Sequence, residues 1–460
     1  MLLALKSQFL TAFARNFGLC FYNLYTMRIL HTITARIFSD ELLRHISILF
    51  SGMMVVHVCN MVFQMAVSRA LPGAEYTLLM AFFAVIAIIQ RPLSTLATGV
   101  AHYSSLMRLE GRVGDVKRLL RKWLLVTGIV AVVLGVAVVA CNKSLSGFLH
   151  LERVAPVIIA GALLPALFCS PVLAGAGQGL QLFGWCSIST ILGALIRLGL
   201  GAGLVWFWVP ACGWAMFGHG LGLYASAVVL SVALLLMLHR HKKSEEILPS
   251  MRFYLLQSFF IQAAYAVLMT ADVVLVKHYF PENTEFAYAA TLGRMVVFLP
   301  GAIVTAMFPK VVSRGVGSKE QYRVFLRSFG YTALCVVASV VGCILFSGLL
   351  TRIIFGIINV SAELKQMIGL MSLVMGVSAL LNVTVQFLLA QRRFVPAFSV
   401  VGFALMYLLG VVLFHETTSQ VVFFSAFGNF GALFMGLFAI LRIKMKGEHA
   451  PREDTSVNAV

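Results

Sequence analysis

Residues 253–310 read FYLLQSFFIQAAYAVLMTADVVLVKHYFPENTEFAYAATLGRMVVFLPGAIVTAMFPK. Two apolar runs flank the short loop Phe280-Pro281-Glu282-Asn283-Thr284-Glu285-Phe286. Each run is long enough to cross a hydrocarbon core of ~30 Å as a helix. The first carries Asp272, the only acidic residue inside any apolar span of the chain, and ends in Lys277. The second carries Arg294, about a turn and a half before Pro300-Gly301. A charge deep in hydrocarbon costs at least ~2.5–3.5 kcal/mol on insertion scales, so such residues face a partner or a wet cavity. Two readings follow. Asp272 and Arg294 neutralise each other across a helix pair, as structural ion pairs do, or both line a central polar pathway. The second is the expectation.

Outward from this stretch the composition is uniform. The 460 residues are 60% hydrophobic and 11% charged, and the mean hydropathy is +0.94. Soluble domains average about 25% charged residues, so the chain reads as a polytopic membrane protein. The net charge of +18 does not point to nucleic acid, because the basic residues lie in short loops between apolar spans. The eight cysteines are scattered, with no Cys-x-x-Cys or Cys/His cluster. They indicate neither a metal site nor a disulfide framework.

Twelve apolar windows are predicted to be helices, since backbone polar groups in lipid must be satisfied within the segment. Six lie at 45–68, 77–104, 123–142, 154–176, 185–208 and 217–238. Six more lie at 253–278, 287–309, 328–351, 364–389, 396–414 and 420–441. The expected organisation is an N-lobe over 45–238, a basic cytoplasmic linker over 239–252, a C-lobe over 253–441 and a cytoplasmic tail over 442–460. Residues 1–44 carry five Lys/Arg and no clean span. They read as an amphipathic segment on the cytoplasmic surface, or in part as a product of start choice, with Met27 as an alternative beginning. No signal-peptide cleavage pattern follows them.

Loops on one side of the predicted spans hold 26 Lys/Arg and those on the other side hold 4. The positive-inside rule therefore places both termini in the cytoplasm, in a cytoplasmic (inner) membrane. The halves also resemble each other. Val67-Ser-Arg69-Ala-Leu-Pro72 ends the first span of one, and Val276-Lys277-His-Tyr-Phe-Pro281 ends the first span of the other. Pro92 and Pro300 follow at nearly equal spacing, and Gly179-Leu-Gln181-Leu-Phe183 matches Ala390-Gln-Arg-Arg393-Phe394. Both halves start inside, so the repeat is parallel. Such transporters place the substrate between the halves near the midplane.

Few polar residues sit inside spans. Arg91 immediately precedes Pro92, and Arg197 lies in the middle of the fifth span. Polar stripes at helical spacing occur on three spans: His57, Asn60 and Gln64; Ser258, Gln262, Tyr265 and Asp272; Ser378, Asn382 and Gln386. They are expected to share a hydrated cavity; for the uncharged members, plain interhelical hydrogen bonding is the competing account. Pro92, Pro300 and Gly301 are candidate hinges, because broken helices at matching positions point to a transport site. The sign of the buried charge is the informative part. Arg91, Arg197, Arg294 and Lys277 stand against Asp272 alone. A cavity for cationic drugs calls for carboxylates, whereas the planar fork of Arg suits phosphate or carboxylate oxygens.

These residues and motifs resemble the multidrug/oligosaccharidyl-lipid/polysaccharide exporter superfamily, in its polysaccharide (O-antigen type) flippase branch. The resemblance covers roughly 45–441. It is carried by Arg69-Ala-Leu-Pro72-Gly-Ala-Glu75-Tyr76, Gly179-Leu-Gln-Leu-Phe183, Asp272-Val-Val-Leu-Val-Lys277-His278-Tyr279-Phe280, Phe298-Leu-Pro300 and Phe308-Pro309. It implies an all-α fold of two pseudo-symmetric six-helix lobes around a central cavity that opens alternately to each side. The implied cargo is an oligosaccharide on undecaprenyl pyrophosphate, its anionic head held by Arg91, Arg197, Lys277 and Arg294. Lipid II flippases have fourteen helices, and the twelve expected here favour the polysaccharide branch.

Export of an anion across an inside-negative membrane is downhill by ~2.3 kcal/mol per charge per 100 mV. No ATP-binding loop of the Walker type is present. Energy is therefore expected from the membrane potential, from a coupling H+ or Na+ at Asp272, or from consumption of the product. No catalytic residue, metal or cofactor is assigned. A membrane polymerase needs a large external loop, and the longest here are about a dozen residues. A multidrug cation antiporter of the same superfamily is the remaining alternative, disfavoured by the scarcity of buried carboxylates.

Overall fold

The computed structural model describes residues 41–151, 154–239, 252–312 and 319–448. Most of the N-terminal segment, the basic linker and the C-terminal tail expected from the sequence lie outside these residues. Twelve long helices follow in order: α1 Glu41–Ala70, α2 Gly73–Leu109, α3 Val113–Ala140, α4 Ala155–Gly179, α5 Phe183–Phe207, α6 Cys212–Leu238, α7 Arg252–Tyr279, α8 Glu285–Val312, α9 Lys319–Leu345, α10 Ala362–Ala390, α11 Phe394–Leu413 and α12 Thr418–Glu448. Eleven of them are long and apolar enough to cross a membrane. The other, α8, has 28 residues and stands where the eighth span is expected. No strand occurs among the described residues. The chain is an all-α polytopic membrane protein.

Helix packing repeats between the halves. In the first, α1 packs on α5, α2 and α3 on α4, and α4 and α5 on α6. In the second, α7 packs on α11, α8 and α9 on α10, and α10 and α11 on α12. Adding six to each number converts one set into the other. A short helix follows the third long helix of each half, Asn142–Phe148 in one and Ser347–Phe355 in the other.

Burial follows this plan. The α10 window is 78% buried, so α10 is the central helix of its half, and the α3 window is 17% buried. Leu125, Ile129, Val133 and Val136 of α3 are exposed, as a lipid-facing helix requires. Without a hydrophobic drive between helices in lipid, close approach depends on small residues. At Gly175 of α4 an added Cβ would lie 2.4 Å from the Ala97 carbonyl oxygen of α2. The two backbones are in direct contact there. The halves meet chiefly along α2 and α7.

Candidate functional site

Arg91 stands where the halves join. Its Nη2 donates to Asn382 Oδ1 of α10 at 2.8 Å. Its guanidinium carbon lies 4.8 Å from the centre of the Tyr265 ring of α7. The Tyr265 hydroxyl donates in turn to the Ser378 carbonyl, 3.1 Å away and one turn before Asn382. Two of the predicted polar stripes thus converge on one arginine from the other half. Arg91 forms no ion pair among the described residues. Gln386, a turn beyond Asn382, is half-buried. Gln262 is buried, and its Oε1 has no hydrogen-bond partner among the described residues.

The surroundings of Arg91 differ toward the two helix ends. From Tyr76 to Phe82 every residue of α2 is buried. Tyr76 stacks on Tyr288 of α8 with ring centres 5.0 Å apart, meets the edge of Phe355, and shares a 3.0 Å hydrogen bond with Thr291. Gln64 of α1 also donates to the Tyr76 hydroxyl. Arg69 donates to the carbonyls of Ile353 and Ile354, at the C-terminal end of the short helix of the second half. Together these contacts seal one end of the junction. In the other direction Gln90, Ser94, Thr98 and His102 are all exposed at four-residue spacing. A polar stripe on one helix face departs from the apolar surface of a lipid-facing helix. Arg91 sits between the packed end and this polar face.

Asp272 and Arg294 form an ion pair inside the second half. The Asp272 side chain is 1% exposed and that of Arg294 15%. Arg294 is also within 3.4 Å of the Met269 and Thr270 carbonyls. The geometry favours mutual neutralisation for this pair, the first of the two readings drawn from the sequence. Asp272 Oδ2, Tyr407 OH, Ser425 Oγ and Asn429 Oδ1 have no hydrogen-bond partner among the described residues. Asn429 Nδ2 donates to the Leu268 carbonyl at 3.1 Å, one turn before Asp272. Tyr407, Ser425 and Asn429 are not among the residues expected from the sequence to carry the site. The signal for Asn429 was its isolation within an apolar span.

Arg197 lies in the first half, at the start of a π-helical segment, Arg197–Ala202, within α5. Its Nη1 donates to Asn60 Oδ1 at 3.2 Å. The guanidinium carbon is 4.2 Å from the Phe63 ring centre and 4.7 Å from that of Phe83. Lys277 is buried at the far end of α7, with Nζ 3.5 Å from the Pro281 carbonyl. The structure therefore separates the predicted cations. Arg91 is at the junction, Arg294 and Arg197 lie within opposite halves, and Lys277 is at a turn. Both α2 and α8 run on through Pro92 and Pro300-Gly301, so neither helix is broken there.

No family model matches this chain, and no curated protein does. Solved structures do. An outward-facing multidrug resistance MATE family transporter of the MOP superfamily aligns with a TM-score of 0.61 at 14% identity, over 88% of this chain and 96% of that one. The inward-facing form of such a transporter gives 0.61 at 16% identity, over 88% and 99%. The lipid II flippase MurJ, in an inward closed conformation, gives 0.59 at 13% identity, over 86% and 91%. At these identities the likeness is one of fold. The chain is built on the architecture that the MOP transporters and this flippase share, the superfamily fold that its motifs resemble.

Proposed function

We propose that this protein moves an anionic, lipid-linked oligosaccharide across the cytoplasmic membrane by alternating access, with both termini in the cytoplasm. The observation that carries this reading is Arg91. Among the described residues it is a guanidinium without a carboxylate partner, at the junction of the halves, between a packed end and a polar helix face. The one carboxylate within a span, Asp272, is withdrawn into the second half and paired. The junction is thus cationic, which suits pyrophosphate and opposes a cationic drug. The undecaprenyl tail stays in lipid while the head and sugars cross through the groove between the halves.

Movement of the head toward the less basic side runs with the membrane potential, at ~2.3 kcal/mol per charge per 100 mV. The free oxygen of Asp272, with the unpartnered oxygens of Tyr407, Ser425 and Asn429 in the same half, supplies a place for a coupling H+ or Na+. The test is surface glycan in cells that depend on this chain. Arg91→Gln reduces export at normal protein abundance, and Arg91→Lys reduces it less, because an ammonium keeps the charge but lacks the fork. Wild-type export by Arg91→Gln would remove the basis of the proposal.

A further inference from the structure

A guanidinium lies in the interior of each half, on helices that the repeat does not pair, and only one has a carboxylate among the described residues. In the second half, Arg294 of α8 is paired with Asp272 of α7. In the first half, Arg197 of α5 faces α1, the helix equivalent to α7, and meets the neutral amide of Asn60. Among the described residues Arg197 has no ion pair. Its Nε is buried without a hydrogen-bond partner, and Nη2 makes no hydrogen bond among the described residues. A guanidinium carries five N–H donors, and among the described residues Arg197 satisfies one of them. The rings of Phe63 and Phe83 stand close on the guanidinium. They offer it π-density but accept none of its in-plane hydrogen bonds.

From this we infer that the first half holds a small inorganic anion, chloride-sized, against the Nε and Nη2 edge of Arg197. The backbone contacts fix which way the side chain runs. At Gly218 of α6 an added Cβ would lie 2.2 Å from the Gly201 Cα of α5. The α5 and α6 backbones therefore touch, and the arginine side chain extends toward α1 and α2. The π-helical segment is a feature found often at functional sites. On α1, His57 is exposed and Asn60 and Gln64 are half-buried. The anion neutralises the first half as Asp272 neutralises the second. This inference is independent of the flippase reading, which rests on Arg91.

The test uses the full chain in nanodiscs, with chloride titrated against gluconate at fixed ionic strength and the thermal midpoint as readout. The wild type shows a saturable rise with chloride, and bromide reproduces it. Arg197→Gln loses the rise. Asn60→Asp places a carboxylate against Arg197 from within the chain. It folds, and its apparent chloride affinity falls by about 10-fold or more, as loss of a charge-assisted bond of ~1.5–3 kcal/mol implies. Arg91→Gln keeps the wild-type rise. Three results would each overturn the inference: no chloride-specific rise in the wild type, a wild-type apparent chloride affinity in Asn60→Asp, or loss of the rise in Arg91→Gln. Should Arg197→Gln fail to fold, Asn60→Asp decides alone.

Discussion

Arg69 and His278 occupy equivalent places at the ends of α1 and α7, and each reaches the short helix of the opposite half. Arg69 donates to the Ile353 and Ile354 carbonyls that end Ser347–Phe355. His278 Nδ1 lies 2.7 Å from the Phe148 carbonyl that ends Asn142–Phe148, and the two rings stack at 3.9 Å. Terminal carbonyls of a helix lack intrahelical partners and attract cationic or N–H donors. Each half therefore supplies a donor that the other half's short helix needs. This crossed pair ties the two halves together at the ends of α1 and α7.

The crossed latch yields a cross-linking prediction. A Cβ built on Gly73 lies 3.2 Å from the Thr284 Cβ, close to the ~3.5–4.5 Å of disulfides. With native cysteines replaced, Gly73→Cys with Thr284→Cys cross-links on mild oxidation. Export stops in the cross-linked form and returns on reduction. Full export by the cross-linked protein would mean that this end does not open during transport.

The Asp272–Arg294 pair makes a second prediction. Breaking a buried pair from one side costs about 3–5 kcal/mol, because it strands a charge. Arg294→Gln therefore lowers membrane abundance. Adding Asp272→Asn restores abundance but not export, since the oxygen proposed to take the coupling ion is gone. Recovery of both would make the pair structural only.

Gly218 tests the contact between α5 and α6 that positions Arg197. With its Cβ 2.2 Å from Gly201 Cα, Gly218→Ala separates the helices and lowers stability by about 1–3 kcal/mol, as overpacking does. Gly128→Ala, with nothing within 4 Å of its Cβ, serves as the control. Equal thermal midpoints for the two variants would mean that the contact is slack.

Much of the fold was legible because hydrocarbon demands long apolar helices, and eleven such helices stand where the hydropathy placed spans. Arg91, Asn382 and Tyr265 were visible as polar residues in apolar runs. Their meeting was not, because it joins residues nearly three hundred positions apart. The stripe Gln90, Ser94, Thr98 and His102 had helical spacing, but small polar side chains are common in membrane helices and bond to their own backbone. Ser94 donates to the Arg91 carbonyl at 2.7 Å in this way. That all four share one exposed face is visible only in the structure. Asp272 was read as lining the pathway, since its sequence position cannot show that Arg294 draws it inward.

The most direct test of the central claim uses purified chain in proteoliposomes, with an undecaprenyl-pyrophosphate oligosaccharide in one leaflet and a membrane-impermeant glycosidase outside. The wild type exchanges the glycolipid between leaflets. Arg91→Gln slows exchange by roughly 10- to 150-fold at limiting substrate, the affinity equivalent of one charge-assisted bond of ~1.5–3 kcal/mol. Arg91→Lys falls between, and a cationic dye is not moved. Unchanged glycolipid exchange by Arg91→Gln, or dye transport in its place, would contradict the account.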